Sequence, residues 1–203
     1  MPDFSFENQH ACPVAGVDEA GRGPWAGPVV AAAVILDRTV DYTGLDDSKK
    51  LSAKKRETLF DHIMATAHVG VGQASVEEID NINILQATML AMQRAVENLT
   101  QNPGYVLIDG NKCPDLKIPC EAVIKGDSRS FSIAAASIIT KNTRDRIMAD
   151  LAKDHPAYGW ERNAGYGTAQ HKEGLNLVGI SPHHRKSFAP IRKILTQDSV
   201  IIP

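Results

Sequence analysis

Two short apolar runs near the N terminus, residues 14–17 and 29–36, set the first limit on the fold. Both consist of β-branched and small apolar residues, and both are bounded by glycine or proline, a pattern typical of buried strands. The turn between them, from Gly21 to Pro28, brings the two strands side by side. This pattern predicts a sheet at the centre of the fold rather than a bundle of helices.

The rest of the chain alternates between strands and helices. Further strands are predicted at residues 68–76, 105–108 and 121–124, and helices at residues 53–67, 83–100, 128–151, 168–178 and 190–195. Ser52 is suited to cap the first of these helices, and the second has the clearest helical period of apolar residues in the chain. This order predicts an α/β protein, in which helices flank a mixed central sheet and the C-terminal part is helical.

The 203 residues contain no repeat and no linker, which predicts a single domain over residues 1–203, with residues 1–12 as a flexible extension. The longest apolar run has 11 residues, well short of the roughly 20 that cross a bilayer. The first ten residues contain no Lys, no Arg and no apolar segment, so no signal peptide is visible and a cytoplasmic protein is expected. Cys12, Cys113 and Cys120 cannot all pair, and we interpret them as reduced structural thiols.

Carboxylates follow the predicted strands. Asp18 and Glu19 close the first strand, Asp109 closes the strand at residues 105–108, and Asp127 precedes the long helix. Ligands and catalytic groups in open α/β sheets gather at the carboxyl ends of strands, so these residues form a candidate site. Two structural alternatives remain open, since Asp127 is suited to be a helix N-cap and Asp109 with Gly110 is suited to be a turn.

Carboxylates gathered without Lys partners repel one another, and a divalent cation relieves that repulsion. Their hard oxygen ligands favour Mg²⁺ or Mn²⁺ over zinc. Adjacent strand residues point to opposite faces, so Asp18 and Glu19 cannot both aim at one ion from a regular strand. Either the strand distorts at its end, or Glu19 contributes partly through its backbone carbonyl.

A Gly21-Arg22-Gly23 triplet follows the first acidic pair. Glycine lets the backbone approach a ligand closely, and arginine binds phosphate with two parallel hydrogen bonds. The surrounding segment imitates a P-loop in its spacing, but an arginine replaces the lysine and two acids would repel the phosphates, so we reject that interpretation. A plain glycine turn is the structural alternative.

Several motifs together resemble bacterial ribonuclease HII. They are Val17-Asp18-Glu19-Ala20-Gly21-Arg22-Gly23-Pro24, Asp47-Ser48-Lys49-Lys50-Leu51, Ile108-Asp109-Gly110, Lys125-Gly126-Asp127, Ala134-Ala135-Ala136-Ser137-Ile138, Gly165-Tyr166-Gly167-Thr168 and His183-His184-Arg185. The resemblance covers about residues 14–194. It implies an RNase H-like fold with a five-stranded mixed sheet, and an endonuclease that cuts the RNA strand of RNA–DNA hybrids, including single ribonucleotides embedded in duplex DNA. We expect the protein to be a monomer.

The resemblance also assigns roles to single residues. It implies that Asp18, Glu19, Asp109 and Asp127 bind two Mn²⁺ or Mg²⁺ ions, that Gly21, Arg22 and Gly23 read the junction, and that Tyr166 packs on the sugar beside the ribonucleotide. The sequence departs from the family's usual residues at Thr140, Asn142 and Trp25.

Hydrolysis by two metal ions about 4 Å apart needs no Ser, Cys or His nucleophile. The family implies that attack 5′ of the ribonucleotide leaves a 3′-hydroxyl and a 5′-phosphate. We expect Lys49, Lys125 and Arg185 to contact phosphates, although solvated surface cations are nearly as good an interpretation, and we expect no metal role for His183 and His184.

The net charge of −2 hides ten Lys and Arg against five Asp and Glu between Lys141 and Lys193, a surplus suited to a phosphate backbone. Two other hypotheses compete with a ribonuclease. A non-catalytic hybrid-binding protein would not need the four acids, and the glycine triplet with Tyr166 argues against a resolvase-like DNase.

Overall fold

The computed structural model describes residues 1–11 and 13–198, so Cys12 lies outside the described residues. The described chain packs as two compact units. The first unit comprises Met1–Ala20, Val30–Gln73 and Thr88–Thr143, and the second comprises Gly21–Val29, Ala74–Ala87 and the chain from Arg144 onward. A single catalytic domain over the whole chain stays a prediction.

Five strands form one mixed sheet. They are β1 (Val14–Ala20), β2 (Val29–Ile35), β3 (His68–Ala74), β4 (Tyr105–Asp109) and β5 (Cys120–Val123). The order across the sheet is β3-β2-β1-β4-β5, with β1 antiparallel to β2 and parallel to β4, and β4 parallel to β5. The predicted mixed sheet is confirmed, and β1 is its central strand.

The described residues form six α-helices. They are α1 (Ala53–Thr66), α2 (Val76–Glu97), α3 (Phe131–Asp154), α4 (Trp160–Asn163), α5 (Ala169–Val178) and α6 (Ala189–Asp198). The helix predicted from residue 83 is preceded in the structure by a further helical segment, because Ser75 caps α2 and the element begins at Val76. Asn83 lies inside α2 with φ of 67° and accepts from the backbone N–H of Leu85 and Gln86, so it restarts the helix after a kink.

The core of the first unit joins β2, α1 and α3. Val34, Ile63 and Ile138 are fully buried members of it. The first half of α3 is buried on all sides, as predicted from its apolar sequence. Close packing of β1 on α3 depends on Gly16, because a Cβ there would clash with the backbone of Ser132 and Ile133.

The core of the second unit is a cluster of aliphatic and aromatic side chains, among them Met148, Trp160 and Leu175. Of the three cysteines, Cys113 and Cys120 are free thiols, as predicted. No helix in the described part of the chain is long and apolar enough to cross a membrane.

Residues at the N terminus, predicted to form a flexible extension, make defined contacts with the first unit. Asp3 forms a parallel β-bridge with Ser130, and the Phe4 ring packs edge-on against Phe131. The Arg38 guanidinium donates to the backbone carbonyl of Glu7. We call residues 3–8 the N-terminal strap.

Candidate active site

The two central strands bring two of the predicted acids to one edge of the sheet. Val17 of β1 pairs with Ile108 of the parallel strand β4, so Asp18 and Asp109, the next residues, lie side by side at the carboxyl ends of these strands. Sequence reasoning had predicted this, because carboxyl ends of neighbouring parallel strands meet at the same edge.

Asp127 also belongs to the first unit, but it lies in a turn rather than at the end of a strand. It lies in a short 3-10 turn, Gly126–Ser128, that follows β5 and precedes α3. The N-cap of α3 is Ser130, whose hydroxyl accepts from the backbone N–H of Ile133 at 3.2 Å, so the alternative interpretation of Asp127 as the cap was wrong. Asp109 ties this turn to β4, because its Oδ1 accepts from the Gly126 N–H at 2.7 Å.

The acids repel one another electrostatically. Burial raises the pKa of Asp18 well above its usual range, and the carboxylates of Glu19, Asp109 and Asp127 raise it further. Burial also raises the pKa of Asp127, with Asp109 and Asp47 adding to the effect and Lys49 opposing it. Groups that destabilise each other's charge in this way are typical of functional sites rather than of a stability-optimised core.

Glu19 lies in regular pairing at the end of β1. Asp18 pairs with Ala32, Glu19 with Ala31 and Ala20 with Val30, so the antiparallel ladder with β2 continues through the acidic pair without a bulge. The two side chains therefore leave opposite faces of the sheet. Of the two alternatives raised from the sequence, this register favours a contribution from the Glu19 backbone carbonyl.

Lys49 lies near the acids, contrary to the expectation that they gather without Lys partners. Burial opposes the charge of Lys49, but Asp47, Asp18, Asp127 and Asp109 together raise the pKa of its ammonium group. Lys125 is exposed and lies in the left-handed region with φ of 56°, immediately before the turn that carries Asp127. Both lysines stay candidates for phosphate contacts.

In the second unit, the Gly21-Arg22-Gly23 triplet begins a loop. Two buried arginines donate hydrogen bonds to the backbone carbonyls of this loop. Arg185 is fully buried, and its guanidinium donates to the carbonyls of Gly21, Arg22, Gly27 and Pro28 at 2.5 to 3.2 Å. The predicted phosphate contact by Arg185 was therefore wrong, because the side chain is fully buried and each of its three nitrogens donates to a backbone oxygen. Arg185 fixes the shape of the loop instead.

Arg144 is the second of these arginines, and sequence reasoning missed it. It is 3% exposed and donates to the carbonyls of Ala26, Pro28 and Ala164. A side chain at Gly21, whose φ is 96°, would collide with the Arg144 guanidinium. Burial lowers the pKa of Arg144 to about 10, so it stays cationic at neutral pH. In the sequence, Arg144 looks like an ordinary surface arginine on a helix, so no local signal indicated that it is buried.

Tyr166 lies against the glycine triplet within the second unit. A Cβ on Gly23 would stand 3.3 Å from the Tyr166 ring, so the missing side chain leaves the ring face open. Tyr166 is 52% exposed, so it is not part of the buried core. Trp25 also contacts this segment, because its backbone N–H donates to the Gly165 carbonyl at 2.8 Å.

A chain of histidines holds the backbone of Tyr166. The Ser181 N–H donates to His184 Nδ1 at 2.9 Å, so the proton of neutral His184 is on Nε2, which lies 2.9 Å from His171 Nε2. His171 then carries its proton on Nδ1 and donates to the Tyr166 carbonyl at 3.0 Å. Burial and the neighbouring His171 lower the pKa of His184 to about 4, so the chain is neutral at working pH.

Two of the departures from the family pattern have structural roles in the first unit. The Thr140 hydroxyl lies 3.2 Å from the Asp18 carbonyl and 2.8 Å from that of Ala136, so it links α3 to the strand that carries the acids. The Asn142 side chain accepts from Arg56 and donates to Glu57. Neither departure removes an acid or a loop residue.

Comparison with known proteins agrees with this geometry. The profile of the Ribonuclease HII family matches residues 15–191. A protein named Ribonuclease HII from Ruegeria pomeroyi is 57% identical over 98% of this chain and 87% of its own length. The crystal structure of the ribonuclease H2 from Pyrococcus horikoshii OT3 superposes with a TM-score of 0.78 at 28% identity, covering 92% of this chain and 99% of that one. The Mn²⁺ complex of Bst-RNase HIII shares the fold, with a TM-score of 0.77 at 20% identity over 94% of this chain and 71% of its own.

A five-stranded mixed sheet with acids at the ends of its central strands places the protein in the class of RNase H-like nucleases. Within that class, the chain belongs to the ribonuclease HII family. It is therefore a metal-dependent endonuclease, which decides against the non-catalytic hybrid-binding alternative.

Proposed function

We propose that the protein hydrolyses the RNA strand of RNA–DNA hybrids and incises duplex DNA on the 5′ side of a single embedded ribonucleotide. The products are a 3′-hydroxyl and a 5′-phosphate, a chemistry suited to repair of DNA that contains ribonucleotides. The observation that carries the proposal is the meeting of Asp18 and Asp109 at one sheet edge, in a unit where the pKa of Asp18 is raised by burial and by three other carboxylates.

The donor chemistry of this site fits two divalent ions of the Mg²⁺ or Mn²⁺ type. Asp18, Glu19, Asp109 and Asp127 offer hard oxygen ligands, and a bound cation removes the repulsion that raises the pKa values of Asp18 and Asp127. Among the described residues, no three Asp, Glu, His or Cys side chains stand close enough to share an ion.

The ions, when bound, activate a water and stabilise the departing oxygen. The protein's own residues place the substrate. The backbone at Gly21 and Gly23 can approach the 2′-hydroxyl, the group that distinguishes RNA from DNA, while Arg22 is suited to bind a phosphate with two hydrogen bonds. Lys49 and Lys125 add positive charge for neighbouring phosphates. Asp18 lies near the carboxyl end of the central strand beside Asp109, and its carboxylate would be suited to hold both ions.

The direct test uses a DNA duplex that contains one ribonucleotide. With Mn²⁺ or Mg²⁺ we expect a single cut on the 5′ side of the ribonucleotide, and with excess EDTA we expect no cut. Product ends are read by their reactivity, since a 3′-hydroxyl supports primer extension and a 5′-phosphate supports ligation. Cleavage in EDTA, or a cut on the 3′ side, would contradict the proposal.

Replacement of Tyr166 by alanine should impair junction recognition selectively. Loss of the half-exposed ring removes a stacking contact worth roughly 1 to 3 kcal/mol. Cleavage at an isolated ribonucleotide should slow about 5-fold to 150-fold, and an all-RNA hybrid strand should be affected less. Tyr166→Phe is the matched control, because it keeps the ring. Equal slowing of both substrates by Tyr166→Ala would assign junction reading to the glycine triplet alone.

Hybrid binding should weaken as salt rises. Of the ten cations between Lys141 and Lys193, Arg144 and Arg185 are buried against backbone carbonyls, so eight remain against five acids. We expect log Kd to change linearly with log salt, with a slope of about 0.9 per phosphate neutralised. A charge-removing change at exposed Arg192 should reduce the slope by about 0.9 if that residue contacts phosphate. A Kd independent of salt would contradict an electrostatic interface.

A further inference from the structure

The N-terminal strap supplies hydrogen-bond acceptors for the first N–H groups of α3. The first backbone N–H groups of a helix have no partner inside the helix. In α3 the Phe131 N–H donates to the Asp3 carbonyl at 3.0 Å, and the Ser132 N–H donates to Glu7 Oε1 at 2.9 Å. The Ser130 hydroxyl, which caps the same turn, donates to that Glu7 oxygen at 2.6 Å. Two of the first three donors of α3 are therefore satisfied by residues near the N terminus.

The same contacts reach the turn that carries Asp127. The N–H groups of Arg129 and Ser130 both donate to the Gly126 carbonyl, at 2.9 and 2.8 Å. The Asp3 N–H donates to the Arg129 carbonyl at 3.3 Å. Asp127 thus lies in a turn whose following residues are held by the strap, while the Gly126 N–H before it is bonded to Asp109.

Glu7 is the only acid of the strap whose carboxylate is buried. It is 1% exposed, its Oε1 accepts two hydrogen bonds from the start of α3, and its Oε2 has no partner among the described residues. An unpartnered buried oxygen opposes stability. A carboxylate is nevertheless favoured beside the positive end of the α3 dipole.

We propose that Glu7 is a positioning residue for Asp127, acting through Ser130, Ser132 and the first turn of α3. This inference rests on the proposed metal-dependent function of Asp127. The strap acts through α3 and not by direct contact with the substrate. It sets where the Asp127 carboxylate stands relative to Asp109, in the way that residues behind metal ligands orient them.

The test measures Mn²⁺ binding without turnover, from the electron paramagnetic resonance signal of free Mn²⁺, alongside kcat and KM on the single-ribonucleotide duplex. Glu7→Ala should raise the Mn²⁺ Kd about tenfold or more and lower kcat by a similar factor, with KM unchanged. Glu7→Gln keeps an acceptor oxygen for Ser130 and Ser132, so both values should return to within about threefold of the parental protein. Arg38→Ala, which removes the bond to the Glu7 carbonyl, gives a milder variant should Glu7→Ala fail to fold.

Ser75→Ala is the matched control. Ser75 caps α2 through the Glu78 N–H at 3.1 Å, so its loss destabilises a helix start of the same kind. It should lower the melting temperature and leave the Mn²⁺ Kd unchanged. If Glu7→Ala lowers the melting temperature but binds Mn²⁺ as tightly as the parental protein, Glu7 is a cap only and the inference is overturned. If the parental protein binds no Mn²⁺, the proposed function fails instead.

Discussion

Asp18→Asn is expected to abolish cleavage of both hybrid and single-ribonucleotide substrates. The substitution removes the charge of the central acid at the sheet edge, where metal ions are proposed to stabilise the transition state by several kcal/mol. A loss of about 4 kcal/mol corresponds to a rate about a thousandfold lower. Single-turnover cleavage in Mn²⁺ measures the effect, and Asp109→Asn should give the same result.

The fold should survive the Asp18→Asn change. Burial and three neighbouring carboxylates disfavour the charge of Asp18, so a neutral isostere should raise the melting temperature of the metal-free protein. Affinity for uncleaved hybrid should not fall. Cleavage above about one hundredth of the parental rate would exclude Asp18 as an essential ligand, and a lower melting temperature would show that its charge is stabilised by contacts other than metal.

Arg185→Ala is expected to have the largest effect on stability. The change leaves the carbonyls of Gly21, Arg22 and Gly27 without the Arg185 donor and opens a cavity at a fully buried position, while the Pro28 carbonyl keeps its bond from Arg144. Each unsatisfied buried acceptor costs about 1 to 3 kcal/mol, so the free energy of unfolding should fall by at least about 3 kcal/mol. Urea denaturation measures this change.

The adjacent residue supplies the control for this experiment. Lys186 is exposed, and its backbone N–H donates to Asp80. Lys186→Ala should change the free energy of unfolding by less than about 0.5 kcal/mol. Arg185→Lys should lie close to Arg185→Ala, because one ammonium group cannot serve carbonyls that a planar guanidinium spans. Equal stability of the Arg185→Ala and Lys186→Ala variants would show that the loop does not depend on Arg185.

The sequence was sufficient to predict the sheet and the acids that close its strands. β1, β2 and β4 have local signals, since apolar β-branched runs end at Gly, Pro or Asp. Asp18 and Asp109 follow such runs directly, so their place at one edge follows from strand polarity. The predicted helix start at Asn83 coincides with the kink in α2, but the helical segment before it was missed, because residues 68–76 were interpreted as a strand and the Ser75 cap was not recognised.

Roles that depend on long-range partners were not predictable from the sequence. Arg185 and Lys186 are adjacent cations with the same local context, yet one is fully buried and the other is exposed. Glu7 resembles any acid of a polar N-terminal segment until Ser130 and Ser132 are known to lie beside it. The role of His171 and His184 in holding the Tyr166 backbone likewise depends on a contact with the Tyr166 carbonyl. In each case the contact that determines the role joins residues far apart in the sequence, and neither hydrophobic periodicity nor a sequence motif links them.

The strap also fixes the order of events while the protein is made. Glu7 and Ser132 are 125 residues apart along the chain. A ribosome adds about 5 to 20 residues per second, so the first turn of α3 waits about 6 to 25 seconds for synthesis after its carboxylate partner has been built. A nascent chain that ends before Ser132 has strands with acids at their ends but no completed helix start behind Asp127. Cutting activity should therefore arise late in translation, after all five strands of the sheet have been synthesised.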